Sequence, residues 1–148
     1  MDMMQLRRMV IAQMGMGKPF VKGTFTCPNS DTTQVINFGK TFGSYLFLIE
    51  MTDESKTALV ASGRSETIST SFIGIYPKRI TNNVTASANV LRISYIASTN
   101  SMTSGSTGSS FTCGSDSITG NVRDFTATSP YLYFMRGYSY KYTVISLD

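Results

Sequence analysis

The sequence contains no histidine and no tryptophan, only two cysteines and four prolines, and few charges. Charged residues make up 15% of the 148 positions, against about 25% in an ordinary soluble domain. Without an imidazole, Ser-His-Asp and Cys-His nucleophilic sites are excluded, as is every zinc site that needs a histidine ligand. Cys27 and Cys113 are too few for a zinc cage or a disulfide framework. No apolar run approaches the roughly 18 residues of a membrane span. Arg7 and Arg8 followed by Met9-Val10-Ile11-Ala12 imitate the start of a signal peptide, but the run stops at Gln13, short of the roughly 7–15 apolar residues required. These absences point away from an enzyme and carry no sign of a metal or cofactor. They also lead to the expectation of a cytosolically folded chain with both thiols reduced.

What is abundant is small and polar. The chain holds 20 serines and 19 threonines beside 41% hydrophobic residues, with a net charge of +4. Its length suits one domain, large enough to bury about 68–70% of its unfolded surface. The positive charge is uneven. Arg7, Arg8, Lys18 and Lys22 oppose only Asp2 in residues 1–22, a net of +3, whereas the remainder is nearly balanced. Two adjacent arginines are a thin footprint for phosphates, so no nucleic-acid partner is expected. An acidic protein surface, or plain solvation, accounts for them better.

Asp2 to Met14 is rich in helix formers and places Met3, Leu6, Val10 and Met14 on one side at helical spacing. Gly15, Gly17 and Pro19 stop it. Met3, Leu6, Val10 and Gln13 also follow the narrow three-four seam of a short coiled coil, too short to be stable alone. This assigns residues 1–17 to attachment or oligomerisation, with Met3, Leu6, Arg7, Arg8 and Val10 as the assembly residues. Gly15-Met16-Gly17-Lys18 resembles a phosphate loop only superficially, since a helix precedes it, a strand follows, and Pro19 stands where Ser or Thr is needed.

From residue 18 to 148 the pattern is that of short strands separated by turn residues, the mark of an antiparallel β-sandwich. Strands are expected at Phe20–Cys27, Thr33–Phe38, Tyr45–Met51, Thr57–Ala61, Thr67–Tyr76, Val90–Ala97, Ser110–Cys113, Val122–Phe125, Tyr131–Met135 and Tyr138–Ile145. Asp53–Lys56 and Gly63–Glu66 read as turns, and helix is expected nowhere beyond the first ~15 residues. The core should include Phe25, Ile36, Phe38, Leu46, Leu48, Phe72, Ile93, Phe111 and Val144. Ser98–Ser109 reads as a long polar surface loop. Asn83-Val84-Thr85 matches a glycosylation sequon and reads as chance. Among the acids, Asp53, Glu54, Asp116 and Asp124 suit solvated turns and strand ends. Glu50, inside the most apolar strand, calls for a buried partner.

The last strand carries Tyr138, Tyr140 and Tyr142 on one face. Such a ladder serves either as a ligand-stacking platform or as a packing and subunit-interface face. The packing reading is favoured, because aromatic side chains mainly supply core and interface area.

A short Met/Arg-rich helix leads into Gly23-Thr24-Phe25-Thr26, Val35-Ile36-Asn37-Phe38-Gly39, Tyr45-Leu46-Phe47-Leu48-Ile49 and the closing Tyr138–Ile145 run. In that order the chain resembles the small tail-module proteins of tailed phages and prophages of gut Firmicutes. The resemblance implies an all-β sandwich preceded by one short N-terminal α-helix. It also implies a structural component of the virion, associated with tail, baseplate or fibre and assembled in the bacterial host cytoplasm. The helix would dock to the particle and the β-domain would face outward. Other virion proteins are the implied partners, with a homo-oligomer, trimeric or hexameric, as the implied state. The alternatives are a head-decoration or head-fibre protein, and a carbohydrate-binding or adhesive module that would contact a host-surface glycan.

Overall fold

The computed structural model describes residues 2–15, 19–63, 68–77, 86–88, 90–107, 110–127 and 129–148. Expectations for Met16–Lys18, Arg64–Glu66, Asn83–Thr85 and the side chains of Gln13 and Met14 lie outside the described residues. Helix α1 (Met3–Gly15) precedes strands β1 (Phe20–Thr26), β2 (Thr32–Asn37) and β3 (Tyr45–Met51). Helix α2 (Asp53–Ala61) then leads to β4 (Ile68–Tyr76), β5 (Ala86–Ala88), β6 (Leu91–Ile96), β7 (Ser101–Ser106), β8 (Phe111–Cys113) and β9 (Ser117–Arg123). A 3-10 turn (Pro130–Leu132), β10 (Phe134–Met135) and β11 (Ser139–Ser146) complete the chain.

The strands form two sheets, as an antiparallel sandwich requires. The larger runs β1-β11-β3-β4-β6-β7, with every neighbouring pair antiparallel. The smaller runs β10-β9-β8-β5, with β2 also paired to β9. The two-residue β10 is parallel to β9 and is the exception to the antiparallel rule. Between the sheets lies an aromatic core. Phe134 meets Phe72 and Phe111 edge-on at 5.4 Å, and Tyr45 stacks on Tyr76 at 4.8 Å, geometries that suit the ring quadrupole. Gly120 makes room for this cluster: a Cβ there would stand 2.6 Å from the Phe134 ring.

Several expectations are corrected. Asp53–Lys56 and Thr57–Ala61 form one helix, α2, not a turn and a strand. Thr52 caps it, its Oγ1 accepting from the Ser55 backbone N–H at 3.2 Å. Asp53 and Glu54 in its first turn complement the positive end of the helix dipole, and Gly63, at φ +69°, ends it. Residues 98–107 are no loop, and the expectation for residues 108 and 109 lies outside the described residues. The 98–107 stretch holds β7, which pairs with β6 along its whole length, and Asn100, at φ +48°, serves the turn between them. The strand expected at Val122–Phe125 is β9, which begins five residues earlier, and Tyr131 belongs to the 3-10 turn.

Ile36, Phe38, Phe72, Phe111 and Val144 are in the main core as expected, with half-buried Phe25 packed against it. Leu46, Leu48 and Ile93 are not. Register places them on the outer face of the six-stranded sheet, with Leu48 buried and the other two half-buried. On β6 the inward positions are Arg92, which lies over the Tyr131 ring at 4.2 Å, and Ser94, bonded to Thr70 at 2.8 Å.

Cys27 and Cys113 are buried free thiols. Burial pushes their pKa values up to about 12 and about 11. Because the folded protein holds the neutral thiols, this contribution to stability is complete below the unfolded thiol pKa and is lost as pH rises from about 9 towards 11–12. Iodoacetamide at pH 8 should therefore leave the folded protein unmodified and add two alkyl groups in urea without reductant. Mass spectrometry reads both outcomes.

Candidate functional site

The site is the outer face of the six-stranded sheet, where α1 lies across it. Asp2 and Gln5 start the helix by a reciprocal capping box. The Gln5 N–H donates to Asp2 Oδ1 at 2.7 Å, and the Asp2 N–H donates to Gln5 Oε1 at 3.1 Å. At 100° per residue, Leu6, Val10 and Met3 then point to one side. Leu6 is 9% exposed and Val10 5%, and Met3 is half-buried. Beneath the helix, Ile145 and Leu48 supply an apolar floor.

Glu50 stands in this floor, 6% exposed. Register sets Lys141 directly opposite it on β11, and its Nζ lies 3.5 Å from Glu50 Oε1. Arg7 descends from α1 and places Nε 3.6 Å from the same oxygen. A lone carboxylate at this burial would be costly; two cations offset much of that cost. The acidic neighbour expected for Arg7 is therefore in its own chain, and α1, expected to serve attachment or oligomerisation, packs its apolar side on the sheet of its own chain. Arg8 is on the exposed side of the helix.

α1 divides the sheet surface into two unlike grooves. One flank is a cleft of about 500 Å³ lined by Arg7, Val10, Ile11, Lys22, Leu48, Glu50 and Lys141, with Thr24 and Thr143. The other is a groove of about 630 Å³ lined by Leu6, Met9, Leu46, Ile73, Ile75, Leu91 and Leu147, with Asp2 at one end. Met9, Ile75 and Leu91 are 50%, 60% and 47% exposed.

The tyrosine face of β11 lies on the other side of the sheet, facing the core. Tyr140 is 1% exposed; its hydroxyl accepts from the Met135 N–H at 2.9 Å, and burial raises its pKa. Tyr138 packs edge-on against Phe125 at 5.7 Å, and Tyr142 lies 6.3 Å from Phe25. None of the three rings is an exposed platform. Among the described residues, no cluster of three His, Cys, Asp or Glu side chains could hold a metal ion. The Arg7–Glu50–Lys141 cluster offers charge complementarity. Sequence reasoning singled out Glu50 and Arg7 but missed Lys141 and Ile75. Register pairing could have found Lys141; the exposure of Ile75 has no sequence signal.

No family model, curated protein or solved structure matches this chain.

Val10→Asp should destabilise the fold by more than about 2 kcal/mol, because it buries an unpaired charge under α1. Removing residues 2–15 should lower the melting temperature by exposing Leu48 and Ile145. Thermal circular dichroism checks both, and an unchanged melt for the truncated chain would show that the helix adds nothing to the domain.

Proposed function

We propose that this chain is a structural component of a tailed-phage particle, associated with tail, baseplate or fibre. In this reading it is incorporated beside copies of itself and other virion proteins, after folding in the bacterial cytoplasm. The observation that carries the reading is the apolar groove beside α1. Met9, Ile75 and Leu91 are large and exposed, and they stand together on one flank of a sheet whose other flank is charged. Clustered exposed apolar side chains mark surfaces that another protein covers. The groove replaces the free helix as the attachment surface: α1 acts as one wall of the seat, with its own apolar side spent on the sheet.

The order of strands and the closing aromatic strand, which resemble phage tail modules, support the same reading. A head-decoration or head-fibre position is its nearest variant. A carbohydrate-binding module draws less support, because Tyr138, Tyr140 and Tyr142 pack against the core.

Light scattering on the purified chain tests the proposal. A trimer or hexamer is expected, and Ile75→Glu with Leu91→Glu should reduce it to monomers whose thermal unfolding is nearly unchanged. A wild-type monomer that is retained on a host polysaccharide column would favour the adhesive reading instead.

A further inference from the structure

The cleft on the opposite flank of α1 gathers an excess of positive charge. Arg7, Lys22 and Lys141 line it, with Glu50 as its single acid. Glu50 lies 3.6 Å from Arg7 Nε and 3.5 Å from Lys141 Nζ. Each cation directs one N–H towards Glu50, and the remaining donors of the Arg7 guanidinium and the Lys141 ammonium stay uncommitted among the described residues. Arg7 and Lys141 also remain open to the cleft, with side chains 46% and 32% exposed. Lys22 lies on the same outer face, opposite Thr143 in register, and is exposed. The cleft thus carries two positive charges in excess.

We infer that this cleft is a docking site for an acidic peptide segment of a partner protein. One Asp or Glu side chain of that segment would enter between Arg7, Lys22 and Lys141. A carboxylate there accepts the uncommitted donors, and it is attracted by more positive charge than Glu50 neutralises. Ile11, 64% exposed on the same flank, suits an apolar side chain beside the acid. An acidic glycan fits less well, because sugars favour an open aromatic face. The one aromatic residue at the cleft, Tyr142, turns its ring to the opposite side of the sheet, against Phe25. The inference rests on the cleft alone and is independent of the apolar groove.

The experiment is calorimetric titration of the full chain with a capped five-residue peptide alternating leucine and aspartate. Saturable binding that weakens with salt is expected. Lys22→Gln and Lys141→Met should each weaken it by about five- to tenfold, the size of one lost charge-assisted contact at a partly exposed site. Lys40→Gln, beside Phe42, should change nothing. Lys22 is on the rim, so its variant keeps the test decisive if substitution at Lys141 impairs folding. Absence of binding, equal binding of an asparagine-for-aspartate peptide, or indifference to Lys22→Gln would overturn the inference. Tighter binding of an oligoglucuronate of equal charge would replace the peptide with an acidic glycan.

Discussion

The fold depends on one strand having to be covered on both sides. Tyr45, Phe47, Ile49 and Met51 of β3 face the smaller sheet, and Leu46, Leu48 and Glu50 face the other way. A two-sheet sandwich covers only the first set. The second, joined by Ile145 from β11 and Ile73 from β4, would leave an apolar sheet face in water. At about 25 cal/mol per Å² of apolar surface, covering it is a substantial driving force. α1 is the element that meets this need. A helix of 13 residues is marginal in isolation. Here it is ordered by the sheet, and the sheet is shielded by it.

Glu50 gives that contact its direction. Leu6 and Val10 could settle on an apolar floor in several rotations of the helix, since hydrophobic burial is not directional. A buried carboxylate is less permissive. It must meet cations, and Lys141 is fixed opposite it by strand register while Arg7 can reach it only when α1 lies in one orientation. The net stabilisation from such a cluster is modest, because desolvation of Glu50 offsets much of the attraction. Its larger effect is to set the rotation of the helix and hence which side chains line each flank.

The parts of this arrangement that sequence made legible are those governed by local pattern. Tyr45–Met51 reads as a buried central strand because it is apolar at every position but one, and β3 has those bounds. The helix at the N-terminus reads equally well from Met3, Leu6 and Val10. Misreadings arose where two local signals compete. Thr57–Ala61 has the composition of a strand, but the Thr52 cap, the acidic first turn and Gly63 outweigh it and make α2. Ser101–Ser106 has Met102 as its one large apolar residue and reads as a loop, yet as an edge strand it pairs one side of its backbone with β6 and leaves the other to water. Ile93 reads as core because alternation shows that a strand has two faces without showing which one turns inward. Arg92 and Ser94 take the inward positions because Tyr131 and Thr70 are there to receive them, and those partners are distant in sequence.

The tyrosines of β11 and the lysine between them show how closely two environments can lie along one strand. Tyr140 and Tyr142 contribute rings to the inner core, while Lys141, a residue apart, projects to the outer face and meets Glu50. Strand alternation thus connects the aromatic core to the charged cleft with no intervening element. α1 crosses the outer face beside Lys141, which leaves its cationic flank over β1 and β11 and its apolar flank over β4 and β6. A partner that approached this face would meet charge on one side of the helix and exposed aliphatic side chains on the other. Such a surface selects orientation as well as identity, because reversing the partner would set its acids against Ile75 and Leu91 and its apolar groups against Arg7 and Lys141.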